Sequence, residues 1–177
     1  MSETTPSTLE KALQKAVQLE RMTGTLYLQF TRLFDHHPEI CQFWKEYATE
    51  EEEHAAYLEK LREGLPEHRR KEPVDPDLDR RLNHCLQKMG EISPEKILTL
   101  RDAHQLAVEI ENSETNSIFE FFVLHLSPDH STSHIEFLRE QLNNHLQRLE
   151  ADFPEAYRGI FAQRNTLTHH KNQDKTF

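Results

Sequence analysis

The sequence predicts an all-α protein: two antiparallel helical hairpins folded into a four-helix bundle, with a long crossover between the second and third helices and a short C-terminal helix. Three observations carry this. Glycine is scarce, four residues in 177, while charged residues make up 29%, a composition poor in the turn residues that sandwiches and barrels need. Apolar residues recur at steps of three and four over long stretches, one face of a helix. The chain also matches itself at an offset of 91 residues, so that Leu9 falls on Leu100 and Leu58 on Leu149, the mark of a repeated hairpin.

The first helix is expected to begin near Ser7, where Ser7 and Glu10 have the spacing of a capping box. Its stripe reads Leu9, Ala12, Leu13, Ala16, Glu20, Thr23, Tyr27, Phe30, Phe34. Pro38 opens the second helix, since proline suits a first turn that needs no N–H. The short connection makes the two an antiparallel hairpin. The second stripe is Ile40, Phe43, Trp44, Tyr47, Glu51, His54, Leu58, Leu61, and Gly64-Leu65-Pro66 ends it, a glycine-then-proline stop. Leu65 to Asp77 is proline-rich and charged, a linker with little to bury, and a short amphipathic piece, Leu78 to Met89, follows. The second helix should be about 35–40 Å long, which the 65–93 connection can cross. Ser93-Pro94-Glu95 is a cap followed by proline, the expected start of the third helix. That helix should run to about Leu126 with the stripe Ile97, Leu100, His104, Ala107, Glu111, Glu114, Ile118, Phe121 or Phe122, His125. Ser127-Pro128-Asp129 breaks it and starts the fourth, striped by Ile135, Leu138, Leu142, His145, Leu149. The organisation expected is a flexible 1–6, a bundle over 7–152 (hairpins 7–64 and 94–151 joined by linker 65–93), a short helix 153–165 and a mobile tail 166–177.

Polar residues interrupt these stripes in register. Within Glu50-Glu51-Glu52-Glu53-His54, Glu51 and His54 lie on the core-facing side, and Glu50, Glu52 and Glu53 read as a solvated acidic face. The repeat pairs Glu20 with Glu111 and His54 with His145. Chance amphipathicity has no reason to pair them. Folding the helices together points Glu20, Glu51, His54, Glu111, Glu114 and His145 into one interior. An unpaired buried carboxylate costs on the order of several kcal/mol, so four would rival the roughly 5–15 kcal/mol stability of a domain. Lys and Arg are absent from the central turns of the stripes. Raised pKa values could neutralise one or two carboxyls, and metal cations would neutralise the set. Carboxylates with two imidazoles suit iron or manganese and tolerate zinc. His104 and His125 stand about 10 Å away along the axis, too far to ligate.

This pattern resembles the ferritin-like di-iron carboxylate proteins, and within them the rubrerythrin branch, over residues 7 to 150. Glu20 followed by Tyr27 resembles that branch's first helix, with the tyrosine near the metals, and Glu111 with Glu114 resembles its doubled glutamate on the third. The resemblance implies two iron ions, an activity on peroxide, dioxygen or ferrous iron, and a homodimer. It departs at Leu142, where a second Glu-x-x-His would place a carboxylate. Glu114 supplies it, or Glu140 swings in through a π-bulge, or the site is mononuclear or incomplete; the first is preferred. A rubredoxin module, which in rubrerythrins delivers electrons, is missing too, so redox cycling would need an external donor. A non-catalytic metal carrier or sensor, and a degenerate structural bundle, are the alternatives.

The net charge of −10 argues against a nucleic-acid partner. Cys41 and Cys85 form no CxxC pair and read as small buried apolar residues. They give no disulfide framework, which points to the cytoplasm. No apolar run reaches the roughly 18 residues of a membrane span.

Overall fold

The computed structural model describes residues 7–126, 145, 147–149, 151–154 and 157, and for Glu114 the backbone alone. These residues are mostly helical, and an isolated β-bridge joins Thr8 to Pro73. Helix α1 (Leu9–Leu33) is capped by Thr8, whose hydroxyl accepts from the Lys11 N–H at 3.4 Å. The expected Ser7–Glu10 box does not form. The Val74 N–H donates to the Ser7 carbonyl and the Leu9 N–H to that of Glu72, while Glu10 stands 3.6 Å from Arg62.

Helix α2 (Pro38–Gly64) starts on its proline as expected. Partners descend along α2 as α1 ascends. Glu10 meets Arg62, Arg21 meets Glu59, Glu20 meets His54, Tyr27 stacks on Trp44, and the Cys41 thiol reaches the Thr31 carbonyl. The pair is therefore an antiparallel hairpin. The helices approach closely at Gly24: a Cβ there would stand 3.3 Å from both the Ala48 carbonyl oxygen and the Glu51 Cβ. Cys85 is buried as expected, but Cys41 is half-buried, with its thiol 3.3 and 3.4 Å from the Thr31 and Phe34 carbonyls.

The connection to the second half is more ordered than a plain linker. It holds α3 (Glu67–Arg70) and α4 (Pro76–Glu91), and α4 buries Leu78, Leu82 and Cys85. Lys15 of α1 donates to Asp79 of α4 at 2.6 Å.

The third helix departs from expectation. Ser93-Pro94-Glu95 opens only a 3₁₀ turn, Pro94–Lys96. Helix α5 (Leu100–Glu111) begins six residues later, on a capping box between Thr99 and Asp102, whose reciprocal bonds satisfy two helix-end donors. It ends at Asn112, and α6 (Glu114–Leu126) follows. The reason lies in Asn112 and Ser113, residues whose side chains compete with the backbone ladder. The Asn112 amide donates to the Val108 carbonyl at 2.9 Å, and the Ser113 hydroxyl accepts from the Thr115 N–H at 3.2 Å. The Asn116 amide then takes the Glu111 carbonyl at 2.9 Å.

The fourth helix is represented by His145, Gln147, Arg148, Leu149 and Ala151, all helical. Leu142, Glu140, residues 1–6 and the tail 166–177 lie outside the described residues, as does most of the 153–165 segment. Among the described residues no helix is long and apolar enough to cross a membrane.

Two apolar clusters form the core. One joins Leu13, Val17 and Leu58 to Leu82 of α4 and Phe122 of α6. The other joins Tyr27, Phe30 and Trp44 to Leu100, Ala107, Leu149 and Phe153. On α1, α2 and α5–α6 the buried polar residues Glu20, Thr23, Glu51, Glu111 and Thr115 fall between the stretches that feed these clusters.

Candidate metal centre

The polar layer is built from one turn each of α1 and α2, the end of α5, and the helix carrying His145. Glu20, Glu51, Glu111 and His145 are each no more than 4% exposed, and the His54 side chain is 19% exposed. Glu51, His54 and His145 each offer a ligand atom to a common volume, all within 4.8 Å of one another. Glu51 stands between the imidazoles, with Oε2 3.5 Å from His54 Nδ1 and Oε1 3.7 Å from His145 Nε2. Glu20 Oε2 lies 3.8 Å from His54 Nδ1, and Glu111 Oε2 lies 3.7 Å from His145 Nδ1.

These separations are too long for hydrogen bonds. Two ligands at about 2.0–2.2 Å from one metal stand roughly 3.0–3.5 Å apart; Glu51 Oε2 and His54 Nδ1 meet that spacing, and the other pairs stand 3.7–3.8 Å apart, slightly beyond it. Both ring nitrogens of His145 are buried without a hydrogen-bond partner among the described residues, a rare state for a buried polar group. The residues present therefore fit a metal, and carboxylate with imidazole suits iron, manganese or zinc.

At His145 electrostatics favours the same use. Burial holds the pKa of His145 below the usual imidazole value, keeping a lone pair free to ligate. Burial also opposes charge on His54, but Glu20 and Glu51 outweigh it and push that pKa up to about 11. Burial is the main cause that drives the Glu51 carboxyl well above the carboxylate range. The His54 contact opposes the rise, and the charges of Glu111 and Glu20 add to it. Without a metal, protonation within the Glu51–His54 pair thus relieves part of the buried charge, where the sequence offered no Lys or Arg.

Tyr27 is fully buried and donates to Glu111 Oε1 at 2.5 Å. Burial, then the Glu111 charge, raises its pKa well above the phenol value, so it remains a donor. Asn116, which no spacing argument singled out, donates to Glu111 Oε2 at 3.1 Å. The Tyr47 hydroxyl donates to the His145 carbonyl at 2.9 Å and ties that helix to α2.

Glu111 closes α5 and Glu114 opens α6, so no continuous helical turn relates them as the Glu-x-x-Glu spacing assumed; the Glu114 side chain lies outside the described residues. His104 is engaged elsewhere, its Nε2 3.0 Å from the Leu149 carbonyl, and His125 is exposed. Glu50 corrects the expectation of a solvated face. Its side chain is only 27% exposed, accepts from Arg148 Nη1 at 2.7 Å, and brings Oε2 to 3.5 Å from His145 Nε2. Glu50 lies off the apolar stripe of its own helix, and no spacing along that helix signals a contact made with another one.

No family model, curated protein or solved structure matches this chain. Geometry alone therefore defines its class: an all-helical protein with a buried carboxylate–imidazole cluster suited to a metal ion.

Proposed function

We propose that the protein is a metal-binding protein of the ferritin-like, rubrerythrin-like kind, a di-iron oxidoreductase acting on peroxide, dioxygen or ferrous iron. The observation that carries the reading is the buried imidazole of His145, without a hydrogen-bond partner among the described residues, beside Glu51 and His54. In this reading α1 and α2 form one hairpin of a four-helix bundle. Helices α5–α6 and the helix of His145 form the other, and residues 65–93 cross between them. A homodimer, a cytoplasmic location and an external electron donor complete the proposal.

Bound iron would supply redox chemistry and Lewis acidity at this site. The protein's part is to hold and orient. Glu51 offers one oxygen to each imidazole's side of the cluster. Tyr27 and Asn116 fix the Glu111 carboxylate by donating to its two oxygens. Phe119 lies against the His54 ring and Tyr47 against that of His145, at 4.6 Å between centroids, and these rings limit the access of water. Anaerobic titration with ferrous iron followed by peroxide tests the proposal. The expected result is stoichiometric uptake and the absorbance of oxidised iron; uptake without oxidation leaves a carrier or sensor, and no uptake overturns the reading.

One observation favours a second reading. With His54 pushed up to about 11 by Glu20 and Glu51, protons alone can neutralise much of the layer, as a degenerate structural bundle would require. A melting temperature indifferent to both chelator and added iron selects that reading, because a ligand bound only by the folded state raises it.

A further inference from the structure

We propose that Glu50 is a metal ligand paired with His145, supplying the carboxylate that the sequence lacks at Leu142. The inference rests on the metal-binding reading above and extends it by one residue. Glu50 Oε2 stands 3.5 Å from His145 Nε2, the separation that Glu51 Oε2 keeps from His54 Nδ1. The other Glu50 oxygen is already used, accepting from Arg148 at 2.7 Å. That bond turns Oε2 toward the imidazole and fixes the carboxylate's orientation, as residues behind a metal ligand commonly do. Arg148 is itself held, with its guanidinium 5.8 Å from the Tyr47 ring centroid and 3.3 Å from Asp152. Glu52, in the same acidic run, is 62% exposed, against 27% for Glu50.

With Glu50 included, the cluster divides into two equivalent positions. One has His54 with Glu20, the other His145 with Glu50, and Glu51 faces both. Glu111 then has a different part. Its two oxygens accept from Tyr27 and Asn116, and it faces Nδ1, the ring nitrogen of His145 turned away from Glu50. A carboxylate on that side is placed to orient a ligating imidazole through its free N–H, and from 3.7 Å the two must draw closer before they bond. Adjacent helix residues point about 100° apart, so Glu50 leaves the stripe that Glu51 occupies. The helix of His145 packs over that flank, tied by the Tyr47 hydroxyl, and brings its ring to Glu50.

The test is calorimetric and spectroscopic titration of the full chain with Co(II), on wild type, Glu50→Gln, Arg148→Gln and, as a control, exposed Glu53→Gln. Wild type and Glu53→Gln are expected to take two equivalents. Glu50→Gln should keep the first and its visible spectrum, and bind the second at least about tenfold more weakly. Arg148→Gln, which removes the ion pair but leaves the carboxylate, should weaken the second equivalent less than Glu50→Gln does. Circular dichroism and melting of each apoprotein exclude loss of fold. Unchanged binding of both equivalents by Glu50→Gln overturns the inference while the metal-binding reading stands. A wild-type stoichiometry of one also overturns it, as does equal loss of the second equivalent in Arg148→Gln, which would make the ion pair structural. Wild type that takes up no cobalt removes the functional reading and this inference together.

Discussion

Helix α1 and the α5–α6 pair align in sequence without a gap, yet α1 is one unbroken helix and its counterpart is two. The difference falls one turn from the site. Where α1 has Arg21-Met22, the second half has Asn112-Ser113. The first two are good helix formers, and the second two offer side-chain partners to free backbone groups. Gly24 corresponds to Thr115. The glycine lets α1 approach α2, whereas the Thr115 hydroxyl lies 2.9 Å from that of Ser113. The twin carboxylates have diverged accordingly. Glu20 faces His54, while Glu111 accepts from Tyr27 and from Asn116, a residue placed by the break. A repeat can thus preserve which residues face inward and still assign them different work.

The largest effect should come from the residue that belongs to neither twin. Glu51 faces both imidazoles, so Glu51→Ala is expected to weaken metal binding by about 100-fold or more by calorimetry. A loss under about tenfold would mean the two halves bind independently. Next come the twins themselves. Glu20→Gln should reduce metal affinity more than it reduces apoprotein stability. Glu111→Ala should show the reverse weighting, costing about 1–3 kcal/mol in urea unfolding, because it strands the buried Tyr27 hydroxyl. Equal responses in both assays would erase the distinction between the twins.

The pH dependence of the apoprotein separates the two imidazoles. The pKa of His54 is raised on folding, so its contribution is present below about 6.5 and lost as pH climbs toward about 11. The Glu51 carboxyl is also raised, and its contribution fades in the same direction, from its unfolded value upward. His145 is lowered, so its contribution is present above about 6.5 and lost as pH falls through its folded value. The apoprotein melting temperature should therefore decline from near neutral toward pH 10. Metal uptake near neutral pH should release protons, detectable as a buffer-dependent binding enthalpy, since protonation within the His54–Glu51 pair must be undone. A melting temperature that rises over that range would contradict this ordering.

A smaller effect is expected from giving the second half the residues of the first. Asn112→Arg with Ser113→Met should join α5 to α6, adding a little helical ellipticity and slowing amide exchange at residues 113–115. Unchanged exchange would assign the break to tertiary packing rather than to these two side chains. Smallest is Lys15→Ala, which removes the half-exposed pair with Asp79 between α1 and α4. Its cost should stay below about 1 kcal/mol and shrink with added salt.

The inward sides of α1 and α2 were legible because helical periodicity is a local property: every α1 stripe residue from Leu9 to Phe34 is buried. The start at Pro38 and the stop at Gly64 were legible for the same reason, since caps are set by neighbours in sequence. The break at Asn112-Ser113 left a trace in the sequence, two residues that favour caps and turns, but the apolar steps run straight through it. The register of the repeat outweighed the propensity of two residues. The late start of α5 likewise had a signal in Thr99 and Asp102, overshadowed by Ser93-Pro94.

The sequence by itself determined that carboxylates and imidazoles would interrupt an apolar interior at matched heights. Burial follows from periodicity, and periodicity is written along one chain. Only the tertiary structure decided which oxygen faces which nitrogen. Glu50 lies off the stripe and meets His145 across helices, and Asn116 reaches Glu111 through a turn that no helical wheel contains. Contacts between helices depend on rotation and axial offset, which small side chains such as Gly24 set and no single helix encodes. The sequence supplied the ligand types, and the packing of helices assigned their places.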